Sequence, residues 1–98
     1  MERFRPFDWA RIRNVHPPGH IRTPGYCRGK VGLIVECLGV VPNPEALAYR
    51  RDPVPQVPLY IVRFRMADLW AQSRNAVDEV DIEILEHWLE PANKREYV

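Results

Sequence analysis

Residues Pro17 to Gly32 read Pro-Pro-Gly-His-Ile-Arg-Thr-Pro-Gly-Tyr-Cys-Arg-Gly-Lys-Val-Gly, and they lead into the run Val-Gly-Leu-Ile-Val-Glu-Cys-Leu from Val31 to Leu38. Pro17, Pro18 and Pro24 fix φ and withhold N–H donors, and the glycines between them permit the turns that the prolines force, so a shaped loop is expected and a helix is not. The run that follows is rich in branched apolar residues and bounded by Gly29 and Gly39, which predicts a strand. A stiff backbone around Arg22 would aim its planar five-donor fork at an anionic partner such as a carboxylate, a phosphate or an oxidised sulfur.

Downstream of this strand, residues 40–58 hold five prolines, at Pro42, Pro44, Pro53, Pro55 and Pro58, and predict a long ordered loop with little regular structure. Leu59 to Arg65 then alternates. Tyr60, Val62 and Phe64 fall on one face and Leu59, Ile61 and Arg63 on the other, as a half-buried strand requires. Met66 to Trp70 predicts a single helical turn. Val80, Ile82 and Ile84 alternate with Asp81 and Glu83, predicting a strand with one wet face. Leu85, Trp88 and Leu89 fit a short final turn that closes the sheet with an indole, and Pro91 ends it. Upstream, residues 1–15 place Phe4, Phe7, Trp9 and Ile12 among Arg3, Arg5, Arg11 and Arg13, the pattern of a basic, aromatic arm that covers the domain or reaches a partner. The organisation expected is an arm over 1–15, a barrel over 16–91 and a tail over 92–98.

A chain of 98 residues makes one domain, which buries roughly 60–70% of its unfolded surface and so has a modest core. The net charge of +1 argues against strong nucleic-acid binding. Its distribution is uneven: residues 1–30 hold seven Lys/Arg against two Asp/Glu, and residues 66–98 hold three against eight. Such polarity suits a complementary protein neighbour better than a uniform polyanion. Cys27 and Cys37 are too few for a disulfide scaffold, and neither lies in a Cys-x-x-Cys pair. His16, His20 and His87 are not spaced for a local metal site, so two buried thiols and no metal are expected. Without a cleavable signal sequence or a run of about 20 apolar residues, a soluble, cytoplasmic chain is expected.

Short strands separated by Gly/Pro loops predict a mainly β fold, a small and strongly bent antiparallel barrel with short helical turns. Periodicity leaves an OB-like barrel as open as any other. The motif Gly19, His20, Arg22, Pro24, Tyr26, Gly29 and Gly32, followed by Pro-Leu-Tyr-x-Val-x-Phe at Pro58 to Phe64 and by Leu69-Trp70, resembles the C-terminal half of the nitrile hydratase β subunit and its relatives in thiocyanate hydrolase. In that family the first motif runs Gly-His-Thr-Arg-x-Pro-x-Tyr-x-x-Gly-x-x-Gly, and the resemblance covers about residues 16 to 90. It implies an SH3-like barrel.

By resemblance, the chain is a β-type subunit of a nitrile-hydrating lyase or a thiocyanate hydrolase. The Co(III) or Fe(III) of such enzymes sits in a separate α-type chain whose cysteine ligands are partly oxidised to sulfenic and sulfinic acids. Arg22 matches the arginine that donates to those sulfur oxygens, while His20 and Tyr26 fall in loop-supporting or interface positions; Tyr26 serves equally as a barrel-packing residue. The resemblance assigns no metal or cofactor to this chain itself. Ile21 stands where the family has Thr, and the helical N-terminal half of the usual β subunit has no counterpart, an arrangement similar to split, three-subunit enzymes such as thiocyanate hydrolase and toyocamycin nitrile hydratase. The partners implied are the α-type metal subunit and a helical β-type fragment. Two other classes compete: an RNA-binding barrel, since Arg28-Gly-Lys-Val-Gly-Leu-Ile-Val35 resembles a KOW element, and a metallochaperone related to the β subunit. Arg28 and Lys30 are expected to face solvent or a partner.

Overall fold

The structure, a computed structural model, describes residues 3–15, 23–47, 55–70 and 78–94. Among these residues five strands, β1 (Trp9–Ile12), β2 (Val31–Pro42), β3 (Gln56–Arg65), β4 (Glu79–Leu85) and β5 (Leu89–Pro91), pair antiparallel in the order β4-β3-β2-β1-β5. Two one-turn helices, α1 (Pro44–Leu47) and α2 (Met66–Leu69), and two 3₁₀ turns, Gly25–Cys27 and Glu86–Trp88, sit at the connections. A β2-β3-β4 meander followed by a 3₁₀ turn that returns β5 to β1 is the SH3-like plan. Two register shifts in β2, between Ile34 and Glu36 and between Cys37 and Gly39, give the long strand the bends that wrap it around the core.

The alternation in β3 falls as expected. Tyr60, Val62 and Phe64 are wholly buried, and β4 sends Ile84 inward while Asp81 and Glu83 stay in water. They meet Ile34 of β2, Ala10 and Ile12 of β1, and Trp88 and Leu89 from the closing turn and β5 in one core. Leu69 of α2 joins them, which gives the expected helical turn its anchor.

Three expectations are corrected. The segment expected as an arm covering the domain or reaching a partner instead carries an inner strand: β1 is bonded to both β2 and β5, and a boundary at residue 15 would cut a strand out of its sheet. Trp9-Ala10-Arg11-Ile12 alternates, with Ala10 and Ile12 buried, but four residues among so many arginines carry a weak period. The Pro-rich connection is more regular than expected. Val40 to Pro42 pairs with Gln56 to Pro58, and Pro58 is tolerated because β4 begins to pair with β3 only at Leu59. The third correction is β5 itself, three residues long, read as the end of a turn.

The first residues are held by a buried carboxylate. Glu86 Oε2 accepts from the Tyr60 hydroxyl at 2.6 Å and from the Arg3 backbone N–H at 2.8 Å, while Phe4 is buried with its ring edge-on to Tyr60. Burial, and then the hydrogen bond to Glu86, push the Tyr60 phenol far above its ordinary pKa. No helix among the described residues is long and apolar enough to cross a membrane.

Candidate functional site

The segment singled out by the sequence connects β1 to β2. His20 and Arg22 lie outside the described residues; what the structure describes is the frame on either side of them. Pro24, extended at φ −60° and ψ 138°, delivers the chain into the Gly25–Cys27 turn. Gly29 then adopts φ +78°, a left-handed conformation that side chains disfavour, and its N–H reaches the Ile12 carbonyl at 2.7 Å. The Ile12 N–H returns a bond to the Lys30 carbonyl at 2.9 Å, so the end of the loop is hooked onto β1. Gly32 has a different reason for its place. A Cβ there would lie 2.7 Å from Val62 Cγ1, 2.9 Å from the Arg63 carbonyl and 2.9 Å from Phe64 Cε1, so β3 could not pack as it does against any other residue.

Cys27 is wholly buried and its Sγ lies 3.1 Å from the Pro24 carbonyl. Burial pushes the thiol up to about 11, which keeps it protonated and unreactive at neutral pH. Cys37 is only half-buried, against the expectation of two buried thiols; it packs against the margin of the core where the register of β2 shifts. Among the described residues no group of three or more His, Cys, Asp or Glu is disposed to hold a metal. With a neutral thiol as the nearest soft donor to the loop, these residues do not fit a metal centre.

Tyr26 occupies the outward position of the turn whose inward position is taken by Cys27. Its ring is 45% exposed and lies 5.0 Å from that of Trp70, tilted by 36°. It does not pack the barrel interior; with Trp70, itself 39% exposed, it forms an aromatic pair at the surface beside the loop. Lys30 is exposed as expected.

Arg28, expected at the surface or an interface, is half-buried and turned inward. Its Nη1 donates to the Val15 carbonyl at 3.3 Å and its Nη2 to the Thr23 carbonyl at 3.2 Å, while the guanidinium carbon lies 5.0 Å from the centre of the Trp88 ring. Trp88 is held in turn. Its Nε1 donates to Glu45 Oε2 at 3.0 Å, and the Arg13 N–H donates to its carbonyl at 2.9 Å. Glu45 Oε1 lies 2.8 Å from His87 Nε2, and Arg13 Nη1 donates to the His87 carbonyl at 3.2 Å. A cleft with Thr23, Val41, Pro42, Leu59 and Leu85 in its wall opens beside the same flank.

Thr23, Glu45 and Trp88 were not among the residues the sequence marks for function. One signal was available for Glu45: Asn43-Pro44-Glu45 is an Asx-turn sequence, and Asn43 Oδ1 accepts the Glu45 N–H at 3.0 Å. That Arg28 and Trp88, sixty residues apart, would stack has no such local signature.

The profile of the family described as nitrile hydratase beta subunit, C-terminal, matches residues 1–91. The nitrile hydratase subunit beta of Rhodococcus erythropolis is 36% identical over 84 residues, which is 85% of this chain and 39% of that protein. The cobalt-containing nitrile hydratase subunit beta of Pseudonocardia thermophila is 30% identical over 88 residues, covering 90% of this chain and 37% of that one. The chain thus spans about two fifths of the length of these relatives. Among solved structures, a chain of the thiocyanate hydrolase from Thiobacillus thioparus, a recombinant apo-enzyme, superposes with a TM-score of 0.86 at 30% identity, covering 94% of this chain and 78% of its own. Taken with the SH3-like sheet and the matched loop frame, these likenesses settle the family: the chain belongs to that of the C-terminal domain of the nitrile hydratase β subunit.

Proposed function

We propose that this chain is the small β-type subunit of a nitrile hydratase or thiocyanate hydrolase-like enzyme, a hydro-lyase or its thiocyanate-hydrolysing relative. The observation that carries the reading is the match to the β-subunit family over residues 1–91 together with the likeness to the thiocyanate hydrolase chain, at a TM-score of 0.86 and 30% identity. In this reading the Co(III) or Fe(III) belongs to a separate α-type subunit, and a helical β-type subunit or fragment completes the pocket. The hetero-oligomer works in the cytoplasm.

The contribution of this chain is then positional. Arg22 presents two parallel N–H donors to the oxygens of oxidised cysteine ligands on the α-type partner, holding their charge and orientation. His20 braces the loop, and Tyr26, exposed beside it, lies at the interface. The acidic C-terminal third and basic N-terminal third suit apposed protein surfaces. An RNA-binding role finds less support: Arg28, which opens the KOW-like stretch, is engaged with Trp88 and two carbonyls, and Arg63 and Arg65 are paired with Asp81 and Asp68.

Co-expression with an α-type metal subunit and a helical β-type fragment tests the assembly. A three-component complex by size exclusion and mass is expected, together with less than stoichiometric cobalt or iron in the isolated chain. A chain that stays monomeric beside both partners and binds RNA at moderate salt would sink the reading. In the assembled enzyme Arg22→Lys should lower turnover by at least about tenfold, since an ammonium keeps the charge but loses the planar fork.

A further inference from the structure

The two ends of the segment that carries His20 and Arg22 are not equally anchored. Thr23, at one end, is 4% exposed, whereas Val15, at the other, is 36% exposed. One side chain joins them. The Arg28 guanidinium donates from Nη1 to the Val15 carbonyl and from Nη2 to the Thr23 carbonyl, at 3.3 and 3.2 Å. These are charge-assisted bonds, and the planar fork fixes the angle between them as well as their lengths. Behind the fork the Trp88 indole, 2% exposed and tied to Glu45, limits the direction from which the guanidinium can approach.

We propose that Arg28 is a positioning residue for the Arg22 loop: by bridging the Val15 and Thr23 carbonyls, it fixes the separation of the two flanks between which Arg22 falls in the sequence. This rests on the reading that Arg22 acts in the assembled enzyme. Lysine cannot replace Arg28, because its single ammonium, on a side chain of shorter reach, offers no flat face to the indole and no two donors at a fixed spacing.

The test begins with the full chain alone. Hydrogen exchange read by mass spectrometry should show peptides covering 12–15 and 23–30 exchanging about fivefold faster or more in Arg28→Lys and in Arg28→Gln, with the peptides of β2, β3 and β4 unchanged. Exchange in those two flanks equal to wild type in a folded variant would overturn the proposal. So would acceleration spread evenly over the sheet, which would leave Arg28 a general stabilising role. If one variant does not fold, the other carries the comparison. In the assembled enzyme Arg28→Lys should lower kcat by about fivefold to tenfold with KM little changed, and the Arg22→Lys, Arg28→Lys pair should be no slower than Arg22→Lys alone, the non-additivity of residues acting as a unit. Fully additive losses would overturn the link between the two. Faster local exchange in Arg28→Lys beside wild-type turnover in Arg22→Lys would sink the Arg22 reading and leave the bridging role standing.

Discussion

In the β2-β3-β4 meander, strands adjacent in sequence pair along nearly their whole length and withdraw Tyr60, Val62 and Phe64 completely from water. The brace around Arg28 is made differently, from single directional bonds among Arg13, Val15, Thr23, Glu45, His87 and Trp88. Burial is non-directional and sums over many close-packed atoms, so the meander supplies stability. A hydrogen bond to a carbonyl weakens steeply with angle, so the brace supplies geometry. Damage to the first should appear in unfolding, and damage to the second in what the neighbouring loop can do.

The largest effect is expected where a strand has no room. Gly32→Ala drives a Cβ against the Arg63 carbonyl, a backbone atom, and against two wholly buried side chains. A loss of about 3 kcal/mol is expected, at the upper end for overpacking, read as a lower urea midpoint. A cost below about 0.5 kcal/mol would show that β2 and β3 part more easily than the comparison requires.

Alkaline pH probes the seam between the two regions, where Cys27 lies. Its thiol ionises at 9.0 when unfolded and near 11 when buried, so the unfolded chain loses its proton first. Stability is therefore complete below pH 9 and falls as pH rises toward 11, by on the order of 2 kcal/mol. Tyr60, also raised, acts in the same direction. Cys27→Ala should flatten the Cys27 part of this fall; an identical alkaline profile in that variant would place the loss elsewhere.

Glu45→Ala addresses the brace. It removes the acceptor of the Trp88 indole N–H, a side chain 2% exposed, at a cost of about 1–2 kcal/mol. Hydrogen exchange should accelerate around 23–28 and 86–88 more than in β3, and uniform acceleration would break the distinction between the two regions. The smallest effect belongs to Asp81→Asn. The Arg63 fork binds both carboxylate oxygens at 2.8 and 3.0 Å and holds the Asp81 carboxyl below its ordinary pKa, but both partners are well exposed. The pair adds stability above the ordinary carboxylate range and loses it as pH falls through the depressed pKa. Removing it should cost under about 1 kcal/mol, with the difference shrinking at high salt.

These two regions also differ in how far the sequence discloses them. Period-two alternation announces Leu59 to Arg65 and Val80 to Ile84, because a strand with one wet face must write its burial into every second residue. The same rule is nearly silent for β1 and β5, of four and three residues, and the prolines of residues 40–58 hide a paired stretch behind residues that usually break strands. Of the proposed site, the sequence marks the loop, through its prolines and glycines, and the motif that holds Arg22. It does not mark Arg28 as inward-facing, since a basic residue between Cys27 and Gly29 looks the same whether it meets water or an indole from the far end of the chain. Contacts between distant residues leave no local period to read.

The carboxylate of Glu86 has a bearing on the order of folding. It binds the Arg3 N–H across 83 positions, and β5 pairs with β1 in the same closure. The meander joins neighbours along the chain and needs only short loops to close, whereas the terminal clasp must pay the entropy of bringing the two ends together. The meander is therefore expected to form the nucleus, and the clasp to condense late. Weakening Glu86 would then speed unfolding while leaving refolding nearly unchanged in stopped-flow traces, whereas a matching slowdown of refolding would put the clasp in the nucleus. On this order the frame of the Arg28 loop, which leans on both β1 and the closing turn, is completed only when the last strand is in place.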